Sequence, residues 1–120
     1  MDVRVKRVYE PAEAGDCYRV LVDRVWPRGV AKERAAIDEW ARELAPSTEL
    51  RRWFGHRPER FARFRERYLQ ELEERREELD RLRDRAQRGT VTLVYSARDE
   101  DHNQARVLAE ALHTPPTPRG

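Results

Sequence analysis

Two nearly uninterrupted apolar runs, Val20-Leu21-Val22 and Val91-Thr92-Leu93-Val94, stand out in a chain whose apolar and charged positions otherwise recur at helical spacing. Short apolar runs bounded by turn residues read as strands buried on both faces, as in a parallel sheet. They predict strands over 18–25 and 91–95. Val3, Val5 and Val8, set among Arg4, Lys6 and Arg7, make a shorter, mostly alternating strand near the amino terminus. Pro11, Gly15 and Asp16 turn 10–16 into a loop. Ile37, Trp40, Ala41 and Leu44 have helical spacing and predict a helix ended by Pro46. Ser47 then reads as the N-cap of a short helix through Leu50 to Phe54.

Gly55-His56-Arg57 breaks that helix, and Pro58 is suited to opening the next. From Pro58 to about Arg88 the pattern predicts one long helix, or two joined within 73–77. Phe61, Phe64, Tyr68, Leu72, Leu79 and Leu82 form its apolar stripe. Glu71 with Arg75 and Glu77 with Arg81 stand at the i,i+4 spacing of helical ion pairs. Gly89 closes the helix. The last helix is predicted over 100–112, with Ala105, Leu108, Ala109 and Leu112 facing inward. Three prolines make 114–120 a disordered tail.

Strands separated by helices imply an α/β fold: a small, mostly parallel three-stranded sheet packed with helices, a long Arg/Glu-rich helix preceding the last strand. A length of 120 residues supports one core but not a second domain, so 1–113 is read as a single α/β domain. The link between the first two strands, about ten residues, is near the lower limit for a parallel crossover. It leaves the direction of strand one open.

Composition narrows the function classes. Apolar residues make up 38% and charged residues 40%, yet the net charge is only +2, so the pI of about 9.0 does not signal a basic nucleic-acid face. Lysine occurs only at Lys6 and Lys32; the other basic residues are arginines, whose planar fork suits phosphate and carboxylate. A GC-rich genome accounts for the same bias. The single cysteine, Cys17, allows neither an intrachain disulfide nor a cysteine zinc motif and fits a reducing compartment. With no signal-peptide pattern and no apolar run approaching the roughly 20 residues of a membrane span, the expectation is a soluble cytoplasmic protein without membrane contact.

Candidate chemistry gathers where the buried runs end. Ligands of open α/β sheets bind beyond the carboxyl ends of the strands. After the first run comes Asp23-Arg24-Val25-Trp26-Pro27-Arg28-Gly29. Arg24 and Arg28 offer an anion clamp, Asp23 an orienting group or base, and Trp26 a wall; a local Asp–Arg bridge beside a core tryptophan is the plain alternative. After the second run come Tyr95-Ser96-Ala97-Arg98-Asp99 and then His102-Asn103. Here a helix start supplies free backbone N–H groups for an anion. Ser96 adds a donor, and His102 in the first helical turn is a base or donor. The plain alternative makes Asp99 an N-cap, with His102 and Asn103 exposed. A third stretch, Arg51-Arg52-Trp53-Phe54-Gly55-His56, is a loop able to close over a ligand, or two core aromatics followed by a helix cap and a solvated histidine. Three scattered histidines lack metal spacing, Ser96 lacks a nucleophile elbow, and no phosphate loop or dinucleotide fingerprint identifies a cofactor.

Lys6-Arg7-Val8-Tyr9, Arg19-Val20-Leu21-Val22-Asp23-Arg24, Trp26-Pro27-Arg28-Gly29, Trp40, Glu43-Leu44-Ala45-Pro46-Ser47, Leu50-Arg51, Trp53-Phe54-Gly55-His56 and Asp99-x-x-His102-Asn103 resemble the YeaO-like branch of the domain of unknown function 488 (DUF488) family over Val5 to Leu112. The resemblance implies a small cytoplasmic bacterial or archaeal α/β protein with no settled activity and a pocket shared by these motifs. The wider family often carries a cysteine after the last strand and Cys-His-Arg at the following helix. Ser96-Ala97 and Asp101-His102-Asn103 stand there instead, which argues against thiol chemistry.

The leading expectation is a pocket for a small anionic ligand such as a nucleotide or sugar phosphate, with or without turnover. Arg24 and Arg28 would clamp the anion, and Asp23 or His102 would move a proton. Trp26, Trp53 and Tyr95 would wall the pocket, and His56, Ser96, Asp99 and Asn103 would complete it. The alternative is a non-catalytic regulatory module touching nucleic acid or protein through the arginines of 57–88. A homodimer along the long helix is a third possibility.

Overall fold

The computed structural model describes residues 1–114. Four strands form one all-parallel sheet: β1 (Val3–Arg7), β2 (Tyr18–Leu21), β3 (Glu39–Trp40) and β4 (Val91–Tyr95). The order is β1-β4-β2-β3, so the last strand is inserted between the first two and pairs with both. That placement settles the direction of β1 as parallel. Val20, Leu21, Val22, Leu93 and Val94 are wholly buried, as a central parallel pair requires.

Five helices connect or follow the strands: α1 (Lys32–Ala35), α2 (Thr48–Phe54), α3 (Phe61–Glu73), α4 (Arg76–Arg88) and α5 (Gln104–His113). Alternate side chains of β2 and β4 feed two separate clusters, because strand side chains point to opposite faces in turn. Val20, Val22, Val91, Leu93 and Tyr95 meet the helical layer, including Leu50, Phe54, Phe64, Tyr68, Leu82 and Leu108. Leu21 and Val94 face the other way, onto Val8, Ala35, Trp26, Val30, Ile37 and Trp40. The predicted long helix is two, α3 and α4, broken at Glu74–Arg75, and its stripe is buried apart from the half-buried Phe61. No helix among the described residues is long and apolar enough to cross a membrane.

Several elements differ from expectation. The sheet has four strands rather than three, because the helix predicted from Ile37 to Leu44 is instead strand β3 followed by a 3-10 turn at Arg42–Leu44. The open edge of β2 captures this segment. Asp38 N donates to the Arg19 carbonyl at 2.9 Å, Ala41 N to the Leu21 carbonyl at 2.9 Å, and the Asp38 carboxylate accepts from Arg19 N at 2.8 Å. Pairing with a ready strand outweighs helical spacing over so short a stretch. Strand two ends at Leu21, not at residue 25. The last helix starts at Gln104, four residues later than predicted, because Asn103 caps it: its Oδ1 accepts from Arg106 N at 3.2 Å. The expected i,i+4 partners go elsewhere, Glu71 to Ser47 and Arg81 to Glu39. Of the tail predicted as disordered, 115–120 lie outside the described residues, while Thr114 N donates to the Glu110 carbonyl at 3.1 Å.

Ser47 caps α2 as predicted. Its Oγ accepts from Leu50 N at 3.1 Å and donates to Glu71 Oε2 at 2.6 Å, tying α2 to α3. Ser47→Ala is expected to lower stability by about 1 kcal/mol, the usual worth of such a cap, measured by denaturant unfolding. An unchanged midpoint would show that Glu71 holds the helix start through Ser47 N alone.

Candidate functional site

Because the sheet is parallel, β2 and β4 end on the same side, and the polar clusters that follow them meet there. A cavity of about 260 Å³ opens at this end. Asp23, Arg24, Trp26 and Arg28 reach it from the segment after β2, and Ser96, His102 and Asn103 from the segment after β4. His56 reaches it from beyond α2. Trp53 and Tyr95, expected as walls, do not line it. Trp53 lies in a separate groove between α2 and α3, with the guanidinium of Arg67 4.6 Å from its ring centroid. Tyr95 is buried in the core. Phe54 and Phe64, stacked with centroids 4.3 Å apart, take the role of apolar wall.

Asp23 is the buried carboxylate of the cavity, with 8% of its surface exposed. Gln104 Nε2 donates to its Oδ1 at 2.6 Å, and its own carbonyl accepts from Trp40 Nε1 at 2.7 Å. Burial pushes the carboxyl above its ordinary value, against hydrogen bonds from the Ser96 hydroxyl and backbone, the charge of Arg51 and the amide of Gln104. A carboxyl raised in the native state contributes stability that is complete below its unfolded pKa and lost as pH climbs through the native value. Asp23→Asn cannot ionise. Its melting temperature is therefore expected to rise relative to wild type as pH climbs above about 4, the ordinary carboxylate value, read from thermal unfolding across a pH series. A relative fall would mean that the carboxylate is held as a stabilising anion.

The arginines divide. Arg24, expected as half of the clamp, spends its fork on the chain: Nε donates to the Pro46 carbonyl at 2.9 Å and Nη2 to the Ala45 carbonyl at 3.2 Å. It lines the cavity while fixing the 45–46 segment as part of its wall. Arg28 and Arg51 are exposed, and among the described residues neither guanidinium has an ion-pair partner within contact distance. Gly29, at φ 75°, lets the chain turn immediately after Arg28.

His102 precedes α5 instead of sitting in its first turn. Its Nδ1 lies 2.9 Å from Asp99 Oδ2, and its ring meets Phe61 edge-on at 5.1 Å. Asp99 does not cap the helix. Its Oδ1 accepts from the backbone N–H groups of Asp101 and His102 at 3.0 Å each, closing a turn. Burial raises the Asp99 carboxyl, but those two backbone donors and the imidazole outweigh it and leave the group below its ordinary value. Asp99 does not line the cavity; it orients His102, which does. Asn103 is fully buried and occupied. Its Nδ2 donates to the Asp99 and Glu100 carbonyls at 2.9 and 3.1 Å while its Oδ1 caps α5. The N–H groups expected to receive an anion here are largely consumed by these two side chains.

His56 stands at φ 57° directly after Gly55 at φ 53°, two consecutive left-handed residues that hold the imidazole at the cavity rim. Such a conformation is uncommon outside glycine and is found disproportionately at functional sites.

Residues 2–117 match the family model described as "Inactive DUF488-N3 subclade". This chain belongs to the DUF488 family. It is 49% identical over 114 residues to the uncharacterized protein YeaO of Escherichia coli K12, covering 95% of this chain and 99% of YeaO. It is 44% identical over 111 residues to the uncharacterized proteins Rv3073c of Mycobacterium tuberculosis and Mb3100c of Mycobacterium bovis, covering 92% of this chain and 93% of each relative. No solved structure matches. Of the stretches on which the DUF488 resemblance rests, Asp23 to Arg28, Pro46, Arg51, Phe54, His56, His102 and Asn103 line the cavity, whereas Lys6 to Tyr9, Trp40, Trp53 and Asp99 do not. Gln104 is not singled out by the sequence, and Arg51 appears there only within its motif, without a ligand role. Arg51 stands three residues before Phe54, a spacing that places both on one face of α2. Gln104 follows the motif directly but carries no pattern of its own.

Proposed function

We propose that this protein is a binding protein for a small anionic ligand, taken up in the cavity at the carboxyl ends of β2 and β4 and held by Arg28 and Arg51. The observation that carries this reading is the charge of the lining: three arginines face one aspartate, and among the described residues neither Arg28 nor Arg51 forms a direct ion pair. A guanidinium beside apolar walls binds phosphate or carboxylate with two parallel hydrogen bonds. Binding without turnover accords with the family's description as inactive and with Ser96 and Ala97 in place of a cysteine. The oriented His102 and the buried Asp23 leave proton transfer as the chemistry to look for if turnover is found.

The nucleic-acid reading has less support. The arginines of α3 and α4 are largely spent within the fold: Arg65 on Glu110, Arg81 on Glu39, Arg83 on Asp80, Arg88 on Asp84, and Arg85 over the Tyr18 ring. A phosphate-binding face needs such groups free.

A thermal-shift screen against nucleotides, sugar phosphates and small carboxylates tests the proposal, with Arg28→Ala alongside. A ligand that binds only the native state stabilises it by about 2.7 kcal/mol at a hundred times its Kd. A shift in wild type that vanishes in the variant is the expected result. The absence of any shift in folded protein would overturn it.

A further inference from the structure

We infer that the cavity is built for a two-ended ligand, a phosphate monoester that also carries hydroxyl groups, with the phosphate at Arg28 and Arg51 and a hydroxyl donating to the Asp23 carboxyl. This rests on the anion-binding reading above and goes beyond it by assigning the opposite end.

Three features point there. Among the described residues Asp23 is the one acidic group lining the cavity, and it is buried, whereas Arg28 and Arg51 are exposed at the rim. An anion pushed onto Asp23 meets a carboxylate and is repelled, so the ligand's charge belongs at the rim and a donor belongs opposite. An ionised carboxylate also has about four lone-pair sites. Gln104 Nε2 takes one on Oδ1 at 2.6 Å, which leaves capacity for further donors. Finally, the Asp23 end is positioned from several sides and does not need the ligand to form. Gln104 begins α5, Trp40 Nε1 holds the Asp23 carbonyl, and Arg24 pins 45–46 beside it. An apolar wall of Phe54 and Phe64 runs along the cavity and suits the carbon skeleton that joins the two ends. Asp23 is thus a specificity-determining residue, and Arg28 and Arg51 supply affinity that any phosphate can use.

The test compares methyl phosphate with ribose 5-phosphate by calorimetric titration of the full chain, in wild type, Arg28→Ala, Asp23→Ala and Asp23→Asn, each first shown to be folded by its melting transition. Wild type is expected to favour ribose 5-phosphate over methyl phosphate by roughly tenfold, the worth of a hydrogen bond to a charged group. Asp23→Ala should abolish that preference while binding methyl phosphate at least as tightly as wild type. Asp23→Asn, which keeps one acceptor oxygen but loses the charge, should reduce the preference. Arg28→Ala should weaken both ligands together. If methyl phosphate binds through Arg28 but ribose 5-phosphate gains nothing, or its gain survives Asp23→Ala, the two-ended site is wrong and the anion site stands. If neither phosphate binds wild type, the anion reading fails and this inference with it.

Discussion

Arg19→Met is expected to destabilise the protein by about 3 kcal/mol, the low end for removing one partner of a buried ion pair, and to lower the melting temperature by roughly 12 °C for a domain of this size. Arg19 is 3% exposed, and each of its three guanidinium nitrogens donates a hydrogen bond. Nη1 donates to Asp16 Oδ2 at 2.6 Å, while Nε and Nη2 both donate to the Ala35 carbonyl, at 3.0 and 2.8 Å. This fork joins the turn before β2 to the end of α1. Methionine fills much of the volume but leaves the Ala35 carbonyl without its donors and Asp16 with less charge compensation. Lys6, whose Nζ lies 3.1 Å from Asp16 Oδ2, and Glu13 N, at 3.0 Å, keep the loss from being larger. Differential scanning calorimetry would measure it. The same cluster sets an acid limit. Burial raises the Asp16 carboxyl, but Glu13 N, Lys6 and Arg19 outweigh it and hold the group below its ordinary 3.8. A depressed carboxyl contributes stability that is present above its unfolded pKa and lost as pH falls through the native value. Wild type should therefore lose stability below about pH 4, and Arg19→Met should lose less over the same interval. A variant within about 0.5 kcal/mol of wild type, the usual spread of surface substitutions, would show that the cluster is not a structural tie.

Arg28→Ala and Arg51→Ala are each expected to weaken phosphate binding by about 10- to 100-fold while leaving the melting temperature close to that of wild type. Hydrogen bonds to charged groups are worth about 1.5–3 kcal/mol, and about 1.4 kcal/mol is tenfold in affinity. Both side chains are exposed and make no ion pair among the described residues, so truncating them removes no contact on which the fold depends. Arg51 has a second effect, because its charge lowers the Asp23 carboxyl. Without it, Asp23 titrates at higher pH. The pH dependence of binding in Arg51→Ala should accordingly move upward, whereas in Arg28→Ala it should stay where it is. Arg24→Ala contrasts with both. Its fork holds the Ala45 and Pro46 carbonyls, so it should lose stability along with binding. Calorimetric titration and thermal unfolding of the three variants separate these patterns. Equal binding by Arg28→Ala and wild type would place the anion elsewhere.

The central strands were legible from residues alone because burial on both faces leaves a continuous apolar run, and no solvent-facing element of this size imitates it. Their parallel pairing brought the clusters after Asp23 and Ser96 together, which is why most of the expected site residues line one cavity. What escaped the sequence depends on contacts between distant segments. Strand β3 is two residues of backbone captured by the edge of β2, and the helical spacing of Ile37, Trp40, Ala41 and Leu44 carries no trace of that edge. Trp53 and Phe54 are neighbours in sequence, but the turn of α2 sends Phe54 to the core and the cavity and Trp53 to the other side. Arg24 and Arg28 are indistinguishable as arginines in one motif. Only the folded 45–46 segment, with two carbonyls in reach of Arg24, makes one a brace and leaves the other free. Asn103 rather than Asp99 begins α5 because the Asp99 carboxylate is already engaged by the N–H groups of Asp101 and His102.

The most direct measurement is a titration of isotopically labelled protein with ribose 5-phosphate, followed through its backbone amide resonances. If the cavity binds the anion, the largest shifts fall on Arg28, Arg51, Ser96 and the stretch from His102 to Gln104, and they saturate together with one Kd. Shifts confined to the surface of α3 and α4, or none at saturating ligand, would contradict a binding site at the ends of β2 and β4.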